Sequence, residues 1–343
     1  MPSLRSSLPP TVRRTLGRWR VGAIHRLGGV VPTRGLTYDE LVTLLFPHGD
    51  DPDVRRAVDR EGAGDLTDPA TIRRMIGAVE QQVSPTAFTV RFGPGDVTYA
   101  DVHGVHMALD GADASVATQM ERSGSYESHL TAVFDRFCTA GMTVVDVGAN
   151  NGYYSLLAAR LVGPAGRVVA VEPNSENCRL LLTSAALGGV ATIELFPLAC
   201  TASRGWAYFS SHIGSNGGLI PADDLVRRPG TVVPTFPLDD LVDGPVHFLK
   251  LDVEGAEGLV VAGARRLLET HRPIVTTELS CDMLPRVSGV EPADYLQGFV
   301  DLGYSLSVVE RPTGTLREVA TPAELLDTWD DPFRIEDLLL LPR

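Results

Sequence analysis

The chain has 343 residues, 44% of them hydrophobic and 21% charged, with a formal net charge of −13. Such a composition excludes a disordered polymer, and no run approaches the roughly 18 uninterrupted apolar residues that a membrane-spanning helix needs. The acidic balance also disfavours a nucleic-acid partner, because a phosphate backbone would be repelled.

Residues 1–38 stand apart, with seven arginines and no acidic residue. The segment reads as a basic helix docking on an acidic body rather than as a transit peptide, and it has no apolar secretory core, so a cytoplasmic location is expected. Apolar residues then recur at helical spacing in LTYDELVTLLF (36–46) and TIRRMIGAVEQQV (71–83). A helical region over 1–85 follows. It is expected to shape an acceptor site or an intersubunit contact. Residues 86–125 form a β-rich connector, with period-two alternation broken at Gly93-Pro94-Gly95 and at Gly104. Cys138, Cys178, Cys200 and Cys281 lie far apart without metal-ligand spacing and are expected to be reduced.

From 126 to 343 the reading is an α/β domain with a doubly wound sheet. Strand signals (TVVDV, RVVAVE, TIELFPL, HFLKLDV, PIVTTEL, YSLSVVE, DLLLLP) alternate with helices predicted over 153–161, 175–187, 256–269 and 292–302. Continuous apolar strands between helices predict a parallel sheet covered on both faces.

In VVDVGANNGYYSLLAA (144–159) a buried strand runs through a glycine-containing turn into a helix. Gly148 and Gly152 allow a sharp turn and close approach of a ligand, with free N–H groups at the helix start. The dinucleotide pattern GxGxxG is absent. Glu172 ends the next strand, where a carboxylate can accept both hydroxyls of a ribose, and Asp146 adds a second acid to the same crevice. Two acids suit a cationic nucleoside cofactor, such as the sulfonium S-adenosyl-L-methionine, better than the pyrophosphate of NAD.

FLKLDVEGAE (248–257) carries the only lysine of a chain that otherwise uses arginine. Strand alternation puts Phe248, Lys250, Asp252 and Glu254 toward one face and His247, Leu249, Leu251 and Val253 toward the other. Lys250 reads as an ion pair fixing Asp252 or Glu254, as a donor to a substrate oxygen, or, with a depressed pKa, as a proton acceptor. Asp252 is the first choice for base or acceptor-orienting group, Glu254 the second, with Lys250 and Glu278 in support. The acids Asp252, Glu254 and Glu278 offer oxygen ligands, but a lysine among them argues against a metal. His129 and His212 are expected in ordinary loop or surface positions.

VVDVGANNGYYSLLAA, VVAVEPN and FLKLDVEGAE, in that order, resemble the FkbM family of S-adenosylmethionine-dependent methyltransferases. The similarity takes in GSYESHL (124–130), GSN (214–216) and the closing LLLLPR, over about residues 87–343. Asn151 stands where that family usually has an apolar residue and Ser128 where it often has proline. The resemblance implies a class I, Rossmann-like methyltransferase domain. It also implies S-adenosyl-L-methionine held by Tyr126, Glu127, Asp146, Gly148, Ala149, Asn150, Asn151, Gly152, Tyr153, Glu172, Pro173, Asn174, Ala199 and Asp252. The reaction it implies is O-methylation of a hydroxyl on a small molecule of polyketide, sugar or glycolipid type. A homo-oligomer is left open as a partner arrangement, on which the residues are silent. The alternatives are a cofactor-binding module without catalysis and, more remotely, an NAD-dependent oxidoreductase.

Overall fold

The computed structural model describes residues 90–92, 97–110, 126–213, 216–221, 230–329, 331 and 334–343. The helices expected within 1–85 and the Gly93-Pro94-Gly95 break lie outside the described residues. The chain divides after Gly124. In the first unit, β1 (Val90–Phe92), β2 (Val97–Val102) and β3 (Val105–Asp110) form an antiparallel meander. Its hairpin turns at His103 and Gly104, both at positive φ, with the Asp101 carboxylate accepting the Gly104 N–H. Paired positive φ values are what a tight two-residue hairpin requires.

The second unit, Ser125–Arg343, is built on an eight-stranded sheet. Helix α1 (Ser128–Phe137) leads into β4 (Thr143–Val147), α2 (Tyr153–Val162), β5 (Arg167–Val171), α3 (Ser175–Leu187) and β6 (Ile193–Phe196). A second sheet follows, of β7 (Ala199–Cys200), β8 (Gly205–Ile213), β9 (Asn216–Leu219) and β10 (Thr231–Phe236), in the order β7-β10-β8-β9. The chain returns to the main sheet through α4 (Leu238–Leu241) and β11 (Phe248–Leu251). It continues as α5 (Glu257–Ala262), α6 (Arg265–His271), β12 (Ile274–Ser280), α7 (Met283–Ser288), α8 (Pro292–Asp301), β13 (Tyr304–Glu310), β14 (Thr315–Val319), α9 (Pro322–Leu326) and β15 (Ile335–Pro342). The main sheet has the order β14-β13-β15-β12-β11-β4-β5-β6.

Five neighbouring strands, β6, β5, β4, β11 and β12, are parallel, as their apolar runs predict. At the other end the sheet turns antiparallel, with β15 antiparallel to both β12 and β13 and β14 antiparallel to β13. The reversed strand β15 is thus slotted between β12 and β13. Core packing follows the alternation read from the sequence. Leu249 and Leu251 join Val145, Val147, Val169 and Val275 on the face covered by Val260, Leu267 and Phe299. On the opposite face Phe248 packs on Phe134 of α1, with ring centroids 4.8 Å apart.

One predicted helix, 256–269, is two. At Gly263 a Cβ would run into the Thr201 carbonyl, so the helix breaks where the backbone after β7 crosses it. Asp239 then receives the freed N–H groups of Arg266 and Leu267, each at 2.8 Å, and caps α6.

The strand order reverses between β4 and β11, and there the backbone leaves no space. Gly148, at φ +81, faces the Asp252 carbonyl so closely that a Cβ would overlap it, while the Asp252 N–H donates to Val147 at 3.1 Å. Gly141 has almost the same φ, +84, with nothing near its Cβ position. Gly141→Ala therefore pays only the left-handed strain, about 1–2 kcal/mol. Gly148→Ala adds an overpacking term of about 1–3 kcal/mol. Denaturant unfolding of the two variants is expected to show Gly148→Ala clearly the less stable.

Candidate active site

A cleft of about 990 Å³, including its solvent-open part, lies outside the carboxyl ends of β4, β5, β11 and β12. That is the switch point of the sheet, where open α/β folds bind ligands. Its walls bring together most of the residues singled out from the sequence: Tyr126, Glu127, Gly148, Ala149, Asn150, Asn151, Tyr153, Glu172, Pro173, Ala199, Lys250, Asp252, Glu254 and Glu278.

Three expected members stand outside the wall. Gly152 sits behind the loop, capping α2 at φ 95, with Leu181 of α3 filling the space a Cβ would need. Asn174 caps α3 by accepting the Glu176 N–H at 3.0 Å. Asp146 is fully buried below the loop, which corrects its expected place against a cofactor. Its Oδ2 accepts the Ser155 hydroxyl at 2.6 Å, and its Oδ1 lies 3.5 Å from Lys250 Nζ.

Lys250 is 2% exposed. Its ammonium donates to Asp252 Oδ2 at 2.9 Å, lies 3.4 Å from the Gly148 carbonyl, and faces the Tyr154 ring at 5.2 Å. Burial pulls its pKa down, but the Asp252 and Asp146 carboxylates outweigh burial and hold it above the ordinary lysine range. A proton acceptor would need the opposite shift, and the geometry is that of an ammonium fixing Asp252.

Glu172 is buried at the end of β5, with Oε2 accepting the Asn150 N–H and Oε1 the Asn174 N–H, both at 2.8 Å. Burial pushes its pKa up to about 7 against the pull of those donors. The remaining acids gather at the mouth. Burial, followed by the charge of Asp252, raises Glu254 to about 7, Glu278 well above the carboxylate range, and Glu127 in the same direction. Of five non-glycine residues at positive φ among the described residues, three (Glu127, Asn150 and Glu254) line this cleft. Such conformations cost of order 1–3 kcal/mol each and cluster where function requires them.

Some contributors were not anticipated. His129 is buried, not at the surface, and its Nε2 lies 2.7 Å from the Asp337 carboxylate, which Arg311 also engages. The side chain of His212 and residues 214–215 lie outside the described residues. Glu257, buried in the second half of DVEGAE, accepts the Val253 N–H at 2.9 Å and secures the turn that carries Glu254. An acid two residues after a glycine was its only sequence signal. Tyr154, Phe209 and the Gly217–Leu219 edge of the second sheet also line the cleft. No helix among the described residues is long and apolar enough to cross a membrane.

Removing Lys250 would leave Asp146 buried without its cation, a loss of about 3–5 kcal/mol. Denaturant unfolding is expected to show that cost for Lys250→Met, with most of the stability restored in Lys250→Met/Asp146→Asn. A double variant no more stable than the single one would remove Asp146 as the partner.

A family model described as the methyltransferase FkbM domain matches residues 146–306. No curated protein matches the chain. Among solved structures, an FkbM methyltransferase from Methylobacillus flagellatus KT is 15% identical, with a TM-score of 0.40, over 84% of this chain. This chain spans only 58% of that protein's length. The Aeropyrum pernix fibrillarin with natively bound S-adenosyl-L-methionine is 14% identical (TM-score 0.36, 74% of this chain and 97% of that one). A SAM-dependent O-methyltransferase from Thermotoga maritima is 13% identical (TM-score 0.36, 75% and 86%). What the comparisons show is therefore a match to the FkbM methyltransferase domain over residues 146–306.

Proposed function

We propose that the protein transfers a methyl group from S-adenosyl-L-methionine to a hydroxyl of a small molecule of polyketide, sugar or glycolipid type. The observation that carries this reading is the charge of the cleft: Glu127, Asp252, Glu254 and Glu278 surround the mouth and Glu172 closes the far end. Burial, followed by the charge of Asp252, pushes Glu127, Glu254 and Glu278 upward, and a cation in their midst stabilises their ionised forms. The proposed cofactor carries a sulfonium and an ammonium, so the residues present fit it. In this reading the Glu172 carboxylate accepts the ribose hydroxyls, and the Gly148 turn lets the backbone approach the ligand. When bound, the cofactor supplies an electrophilic methyl group.

The chain's own part is to position and to deprotonate. Lys250 fixes the Asp252 side chain at the cleft floor by the 2.9 Å hydrogen bond. Glu254, raised to about 7, has the proton affinity of an effective general base at neutral pH. Asp252 then orients the acceptor oxygen, and the hydroxyl proton passes to Asp252 or Glu254. Glu278, one strand away, completes the acidic wall.

Calorimetry with S-adenosyl-L-methionine, its demethylated product and NAD tests the cofactor. The methyl donor is expected to bind and NAD not to. Binding of NAD alone would overturn the reading. Glu172→Ala should weaken both methyl donor and product by about 1.5–3 kcal/mol, the worth of a hydrogen bond to a charged group. A cation binds the ionised form of Glu254, so affinity for the methyl donor should rise as pH increases through about 7. Glu254→Gln should reduce that rise, leaving the part that Glu172 contributes. Mass spectrometry of reactions with labelled cofactor and a panel of hydroxylated acceptors identifies the product.

A further inference from the structure

The lip of the cleft, Tyr126 and Glu127, precedes α1 in an uncommon conformation. Glu127 occupies the N-cap position at φ 41 and makes no side-chain cap hydrogen bond to its own helix. Its carboxylate turns the other way: Oε2 accepts the Tyr154 hydroxyl at 2.8 Å. Tyr154, on the first turn of α2, is 4% exposed. Its ring packs on Phe134 with centroids 4.8 Å apart and presents its face to the Lys250 ammonium at 5.2 Å. One side chain thus touches both the lip and the buried cation of the floor.

We propose that Tyr154 is the positioning residue of the cleft, its hydroxyl holding the Glu127 carboxylate over the cavity while its ring covers Lys250. A second tyrosine supports the same segment: the Tyr153 hydroxyl lies 2.9 Å from Thr131 Oγ1, which donates to the Tyr126 carbonyl at 2.8 Å. Burial, then the neighbouring Glu127 charge, keeps the Tyr154 phenol well above its ordinary pKa, so it remains a donor throughout the working range. The hydroxyl and the ring have separable duties. The ring belongs to the aromatic packing between α1 and α2, and the hydroxyl serves Glu127. Tyr154→Phe removes the second and keeps the first, whereas Tyr154→Leu removes both.

This inference rests on the cleft being the cofactor site, so its test includes a readout without cofactor. The N–H groups of Leu130 and Thr131 both donate to the Glu127 carbonyl. Hydrogen exchange of residues 126–131 in the ligand-free protein, read by mass spectrometry, should accelerate about tenfold in Tyr154→Phe and in Glu127→Ala, for loss of a hydrogen bond to a charged group. Calorimetry should show S-adenosyl-L-methionine bound about tenfold more weakly by each variant, and by the double variant no more than about twofold further, since the two groups act as a unit. The melting temperature should fall substantially only in Tyr154→Leu. Exchange and affinity both unchanged in Tyr154→Phe would overturn the proposal, as would losses that multiply to about a hundredfold in the double variant. Failure of the wild-type protein to bind the cofactor would instead overturn the reading of the cleft, leaving the exchange result to judge the tie between Tyr154 and Glu127.

Discussion

The site depends on one buried cation. Lys250 on β11 reaches between Asp146 of β4 and Asp252 at the end of its own strand, and its ammonium also approaches the carbonyl of Gly148. These groups belong to the two neighbouring strands between which the order of the sheet reverses. The pair of loops that form the cleft floor is thereby tied by charge as well as by the hydrogen bond from Asp252 N–H to Val147. A charge buried at this depth is tolerated only with partners, and here it has two carboxylates and an aromatic face. A lysine suits the place because its ammonium is a compact point charge on a thin stem. A guanidinium is instead a wide planar fork, suited to bidentate pairing rather than to a single point of charge.

Above that cation the balance reverses. Four acids meet at the mouth, and only one ammonium lies beneath them. Burial, followed by the charge of Asp252, raises the proton affinities of Glu127, Glu254 and Glu278, and three residues of the wall are held at positive φ. A cation in the cleft would stabilise the ionised forms of these carboxylates. Glu257 and Tyr154, neither of them with a charge facing the cavity, keep the strained turn and the lip in place.

Much of this was legible in the sequence because it rests on local chemistry. The strand–glycine turn–helix of residues 144–159, the acid after β5 and the alternation of polar and apolar residues in FLKL each determine their surroundings within a few residues. Asp146 was misplaced because a strand-end acid facing a ligand and one facing a lysine on the next strand look alike until strand pairing is known. The break at Gly263 and the burial of His129 with Asp337 depend on partners 62 and 208 residues away, which no periodicity reports. The reversed strand β15 escaped for the same reason: DLLLLP is apolar in either direction.

The single lysine allows the central claim to be read directly. In protein labelled only at lysine side chains, nuclear magnetic resonance shows one Cε and one Nζ signal, both belonging to Lys250. If the ammonium is held between Asp146 and Asp252, those signals will stay at their charged positions as the pH is raised through the ordinary lysine range, for as long as the protein remains folded. In Asp146→Asn they will begin to titrate at lower pH than in the wild type. A Lys250 signal that titrates near neutrality in the folded protein would show a neutral amine able to accept a proton, and would contradict the account of the site as one built around a fixed cation.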